Sequence, residues 1–106
     1  MAKYLFEGRY STEGIKGVLK EGGTGRRAAV EAAVKSFGGK VESIYYAFGD
    51  TDVYVIIDMP DNVSAAALAM GISSAGGVAV KTTVLLTVDE IDQAGKKTLS
   101  YRAPGH

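Results

Sequence analysis

The chain has no cysteine, and its one histidine is the last residue, His106. Lack of cysteine excludes disulfides and thiolate metal sites, and suits a reducing compartment. Lack of an internal histidine removes the usual general base, because a residue on a frayed terminus is a poor one. Carboxylates do not fill the gap. Asp50-x-Asp52 opens like a calcium loop, but Tyr54 stands at the third ligand position and the required Gly and Glu do not follow. No metal and no cofactor is therefore expected. An excess of one charge is also missing. Twelve basic residues balance twelve acidic ones, so nothing steers the chain towards nucleic acid. No apolar run is long enough to span a bilayer. The opening MAKYLFEGRY enters a strand at once and lacks the apolar core of a signal peptide. The expectation is a cytoplasmic protein with neither a membrane nor a nucleic-acid partner.

What is present is a strongly punctuated alternation of strands and helices. At the centre, Lys40 to Phe48 and Asp52 to Met59 are rich in Val, Ile, Tyr and Phe, which suit a pleated surface. Between them Gly49-Asp50-Thr51-Asp52 has turn chemistry. It predicts a Gly49 with positive φ and an Asp52 carboxylate bonded inside the turn. Pro60 ends the second strand, and Asp61 is placed to cap a helix.

Before this hairpin, Lys3 to Arg9 reads as a strand. A weak glycine-containing helix follows to about Lys20. Gly22 to Gly25 breaks it, and a better helix capped by Thr24 runs to Phe37. Val30, Ala33, Val34 and Phe37 share one face of that helix, and Gly38-Gly39 closes it. After the hairpin, Asp61 to about Ser74 is an alanine-rich helix stopped by Gly76-Gly77. Val78 to Leu86 is a fourth strand. Thr87-Val88-Asp89-Glu90 is a capping box that predicts a short helix to about Lys97. The order β, α, β, β, α, β with right-handed crossovers gives an α+β, ferredoxin-like fold. A four-stranded antiparallel sheet carries both main helices on one face. Residues 1–97 form the domain and 98–106 a C-terminal arm.

The face of the sheet away from the helices should be polar if solvated. Alternation assigns it Leu5, Glu7, Arg9, Ile44, Tyr46, Phe48, Tyr54, Ile56, Asp58, Lys81, Thr83 and Leu85. Its several large apolar side chains predict a homodimer or higher oligomer through this face. The other possibility is that the chain's own arm covers it.

Candidate ligand-binding residues fall in two groups. Tyr4, Tyr10 and Tyr45 are assigned to the space between sheet and helices, beside Gly8, where a hydroxyl can donate to a polar ligand. Otherwise they are core tyrosines with satisfied hydroxyls. Arg26 and Arg27 begin a helix, where cations are disfavoured by the macrodipole. A bound anion would explain them, and so would pairing with Glu21 or Glu31. Two other patterns fail. Gly17-x-x-x-x-Gly22-Gly23-Thr24 resembles a phosphate loop, but Gly23 stands where the lysine belongs and a helix precedes it. The sheet lacks the basic-aromatic motif of RNA-binding domains, Tyr54 being the one aromatic of its strand.

Tyr10-Ser11-x-x-Gly14, Arg26-Arg27, Gly38-Gly39-Lys40, Gly49-x-x-Asp52 and Pro60-Asp61 occur in the order of the GYD-domain family, which this chain resembles over nearly its whole length. Thr51 stands where that family's naming motif has Tyr. The resemblance implies a ferredoxin-like subunit of the dimeric α/β barrel kind. The expected function is an oligomeric small-ligand-binding module, its ligand a small anionic or aromatic molecule. The alternative is a cofactor-independent oxygenase or isomerase acting on a small aromatic or polyketide-like substrate.

Overall fold

A computed structural model describes residues 1–106. Strand β1 is Ala2–Tyr10, helix α1 Thr12–Ser36, strands β2 and β3 Lys40–Tyr46 and Val53–Met59. Helix α2 is Asn62–Ser74, strand β4 Val78–Leu85 and helix α3 Val88–Gly95. The strands form one antiparallel sheet in the order β2-β3-β1-β4. This is the ferredoxin-like arrangement, with the first and third strands central.

The helix ends follow the chemistry of the sequence. Asp61 caps α2 by accepting the Ser64 N–H at 2.7 Å, and that bond holds its carboxyl below the usual carboxylate range. Thr87 and Glu90 close a full capping box on α3. At the end of α1 the N–H of Gly38 donates to Lys35 at 2.9 Å, and that of Gly39 to Val34 at 3.0 Å. This double closure requires the left-handed φ of 79° that Gly38 supplies.

One helix differs from expectation. Gly22 alone departs from helical geometry (φ 75°, ψ 167°), so α1 is two segments joined by a kink and not two helices joined by a loop. Thr24 lies inside the helical run, and the cap of the whole element is Ser11. A single residue in a conformation open to glycine re-aims the chain where four had been expected to interrupt it.

The hairpin differs too. The strands end at Tyr46 and begin at Val53, leaving a six-residue loop, 47–52. Gly49 does not have positive φ. The longer loop removes the tight-turn geometry that would have demanded it. Strand β2 also carries an irregularity between Val41 and Ser43, with Val41 opposite Ile57 and Ser43 opposite Ile56. Glu42 is the extra residue, as in a bulge.

The core is one layer deep. Tyr4 and Phe6 of β1, Val53, Val55, Ile57 and Met59 of β3, Val34 of α1, and Ala65 and Leu68 of α2 are buried together. Nothing comparable covers the other face. Leu5 lies there between Ile56 and Thr83, and Glu7 between Tyr54 and Lys81. At one end Lys3 pairs with Glu42 at 2.7 Å and Asp58 at 2.9 Å. Asp58, on the face expected to meet a partner, is thus already engaged within the chain.

Helix α3 has no buried residue, makes almost no contact with the other elements, and exposes Val88 and Ile91. No helix or strand follows it, and Leu99 and Tyr101 are also exposed. The chain's surface is 7460 Å², against about 5,650 Å² for a compact monomer of this mass. Its radius of gyration is 17.0 Å, against about 13 Å.

Candidate functional site

The covered face of the sheet does not close completely against the helices. β1 alternates, so Phe6, Gly8 and Tyr10 point to the helix side. At Gly8 the neighbours close in on the bare backbone: a Cβ there would meet Val53 Cγ1 at 2.7 Å and Val78 Cγ2 at 3.0 Å. The kink at Gly22 carries the second segment of α1 over this region. A cavity of about 50 Å³ remains, walled by residues including Phe6, Val30, Val34, Val55, Leu68 and Val80. Among its lining residues only Tyr10 has a polar side-chain atom.

Around Tyr10 the sequence gathers three further polar residues from distant elements. Asp52 accepts the Tyr10 backbone N–H on its carboxylate at 2.8 Å. Its own N–H donates to the Gly8 carbonyl at 2.9 Å, and its carbonyl accepts from Ala47 at 2.7 Å. Tyr46 of β2 donates its hydroxyl to the Gly23 carbonyl at 3.2 Å, tying the sheet edge to the kink. Arg26, on the first turn after the kink, lies within electrostatic reach of both tyrosines. Burial pushes both phenols above their ordinary value, Tyr10 further aided by the neighbouring Tyr46, while the Arg26 charge works against the rise. Both hydroxyls therefore stay protonated donors at neutral pH. Arg26 contacts Glu21 through one nitrogen at 3.3 Å, longer than a strong charge-assisted bond. With five N–H donors in a guanidinium, most of its hydrogen-bonding capacity is left for other partners.

The structure brings Arg26 within electrostatic reach of Tyr10, leaves Arg27 within reach of Tyr46 alone, and sets Tyr4 and Tyr45 apart. Arg27 pairs with Glu31 at 3.7 Å, one turn along the helix. Tyr4 is fully buried at the far end of β1 and donates its hydroxyl to Asn62 at the start of α2. It is a core tyrosine with a satisfied hydroxyl. Tyr45 was expected between sheet and helices, but it is directly opposite Tyr54 on the bare face and 72% exposed. Conversely Ile44 and Tyr46, expected on the bare face, oppose Val55 and Val53 and so turn towards the helices. Phe48 lies in the loop, fully exposed. The signal for Tyr46 was present in the hairpin: residues directly opposed across an antiparallel pair share a face, and Val53 is plainly a core residue. Of the two turn residues, Gly49 has open space around it. Asp52 does accept a backbone N–H, but from the end of β1 instead of from its own turn.

Fold and site define a ferredoxin-like chain with a small apolar cavity lined by Tyr10, and with Tyr46 and Arg26 in electrostatic reach of that tyrosine. The family model for the GYD domain matches residues 4–94, and the chain belongs to the GYD-domain family. No curated protein and no solved structure matches it.

Proposed function

We propose that this chain is the subunit of a homo-oligomeric module that binds a small ligand beside Tyr10. One observation carries the reading: a single sheet separates a small apolar cavity, lined by Tyr10 with Arg26 in electrostatic reach of that tyrosine, from an opposite face that nothing in the chain covers. The first face offers what a ligand site needs, apolar walls and a few convergent polar groups. The second supports assembly. Tyr45, Tyr54, Leu5 and Ile56 lie on it.

The enzyme alternative finds less support. A drug-sized substrate takes a pocket of about 300–1,000 Å³, and a cavity of about 50 Å³ admits no aromatic ring. A small anion suits Arg26 better. A thermal-shift series with acetate, phosphate and longer carboxylates tests the ligand reading. At least one of these anions should raise the melting temperature. Arg26→Gln should abolish the rise and Arg27→Ala should leave it. No rise with any anion would contradict the reading.

A further inference from the structure

We propose that the C-terminal arm of one copy adds itself as a fifth strand to the β4 edge of a second copy, seating Leu99 and Tyr101 in the groove between β4 and α2. The exchange is reciprocal. It rests on the homo-oligomeric part of the reading above and is independent of the ligand.

The receiving edge is set by the sheet. β4 pairs with β1 alone, over an unbroken register from Leu85 to Val78. The other edge strand, β2, is interrupted by its extra residue at Glu42, a device that blunts strand pairing. β4 has no such device. The Gly8 carbonyl is taken by Asp52 on the β3 side, and Val80 lies opposite Gly8. Backbone groups alternate along an antiparallel ladder, so Val80, Thr82 and Val84 direct theirs away from β1. The outward N–H of Val80 donates to Ser73 Oγ at 3.3 Å. Those of Thr82 and Val84 have no acceptor in the chain. Beside these two residues runs an open groove of about 380 Å³, lined by Ala65, Ala66, Ala69 and Met70 of α2. A free edge beside an apolar groove suits an extended peptide. Main-chain bonds hold it, and alternate side chains fill the groove.

The arm fits that edge. Thr98 to Arg102, TLSYR, alternates polar and apolar residues, so Leu99 and Tyr101 share one face of an extended strand. Both are exposed, and the backbone of these five residues makes no hydrogen bond within the chain. Pro104 ends the stretch because it cannot donate to a ladder. The edge that receives the arm belongs to another copy. Helix α3 stands off the body and, with eight residues, carries the chain about 12 Å beyond β4. Returning over that distance takes about four extended residues, which uses the chain from Lys96 to Leu99 before it regains the end of its own β4. Sheets packed face to face are about 10 Å apart, a gap that α3 spans. An arm leaving one copy thus reaches the β4 edge of the copy packed on its bare face.

The test is hydrogen exchange on the full chain at concentrations where sedimentation shows the oligomer. The amides of Thr82 and Val84 should exchange at least about tenfold more slowly in wild type than in Leu99→Asp/Tyr101→Asp. Those of Lys81 and Thr83, which point towards β1, should not differ. Both substitutions fall on the exposed arm and spare the core. Because the chain has no cysteine, a disulfide assigns the arm to its copy. Val84→Cys co-expressed with Leu99→Cys or with Tyr101→Cys should give, on oxidation, a linked pair of the two variants in at least one combination. Fast exchange at Thr82 and Val84 in an oligomeric wild type, or slow exchange that survives the arm variant, would overturn the arm exchange and leave the homo-oligomer standing. So would the lack of a linked pair in both combinations, or a disulfide closed within a single Val84→Cys/Tyr101→Cys chain. A monomeric wild type would overturn both.

Discussion

Ile56 and Ile57 are neighbours on one central strand, yet they live in different environments. Ile57 is completely buried under α1 and α2, whereas Ile56 faces outward beside Leu5 on a face that nothing covers. The strand's alternation creates both faces, but only one has helices to pack on it. One side of this sheet is a packed core with a small cavity, and the other carries apolar side chains on which nothing in the chain packs. The same contrast separates α2, which buries Ala65 and Leu68, from α3, which buries nothing.

The largest expected effect tests that contrast directly. Ile57→Ala should destabilise the subunit by about 2–5 kcal/mol, as deletions in a packed core do. Ile56→Ala, measured in urea at protein concentrations low enough to isolate the subunit, should cost less than about 1 kcal/mol. Equal losses at the two positions would mean that the outer face is packed within the subunit after all.

A smaller effect is expected at the rim of the cavity. Asp52→Ala leaves the Tyr10 backbone N–H without its acceptor and should cost about 1–2 kcal/mol. It should also weaken ligand binding, because the end of β1 that presents Tyr10 loses its anchor. A variant as stable as the wild type would make Asp52 dispensable to the fold.

The smallest effect contrasts the two capping carboxylates. Hydrogen bonding to backbone N–H groups lowers both Asp61 and Glu90 below the carboxylate range. A carboxyl with a depressed folded-state pKa gives stability above its unfolded value, lost as pH falls through the folded one. Acidification through that window should therefore loosen both helix starts. Protonating Asp61 should lower global stability, because α2 covers the sheet. Protonating Glu90 should fray α3 alone, seen as lost amide protection from Val88 to Gly95 with no change in the unfolding midpoint of the domain. Hydrogen exchange against pH, compared between Asp61→Ala and Glu90→Ala, separates the two.

Much of this was legible in the sequence because local chemistry and global fold agree. Asp61, Thr87 and the glycine pairs mark helix ends through hydrogen bonds made within a few residues, and Pro60 marks the end of β3. The faces of β1 and β3 follow from alternation, since both strands are regular. Strand β2 was misread because its phase depends on pairing across a six-residue loop and on the extra residue at Glu42. Neither is visible in a count of every second residue. Tyr45 and Tyr46 therefore exchanged faces, and with them the expected site lost one tyrosine and gained another. Asp52 was identified as a backbone acceptor, but its donor is forty-two residues away in sequence. Arg26 and Tyr10 were each singled out alone. Their meeting depends on the single kink at Gly22, where sequence reading had expected a loop.

The central claim, that the bare face is completed by a second copy, is tested most directly by sedimentation velocity on wild type and Ile56→Asp at micromolar concentration. Wild type should sediment as a dimer or a higher multiple. Ile56→Asp should shift towards monomer while keeping the circular-dichroism spectrum of the folded subunit. A wild-type monomer across that concentration range would contradict the account.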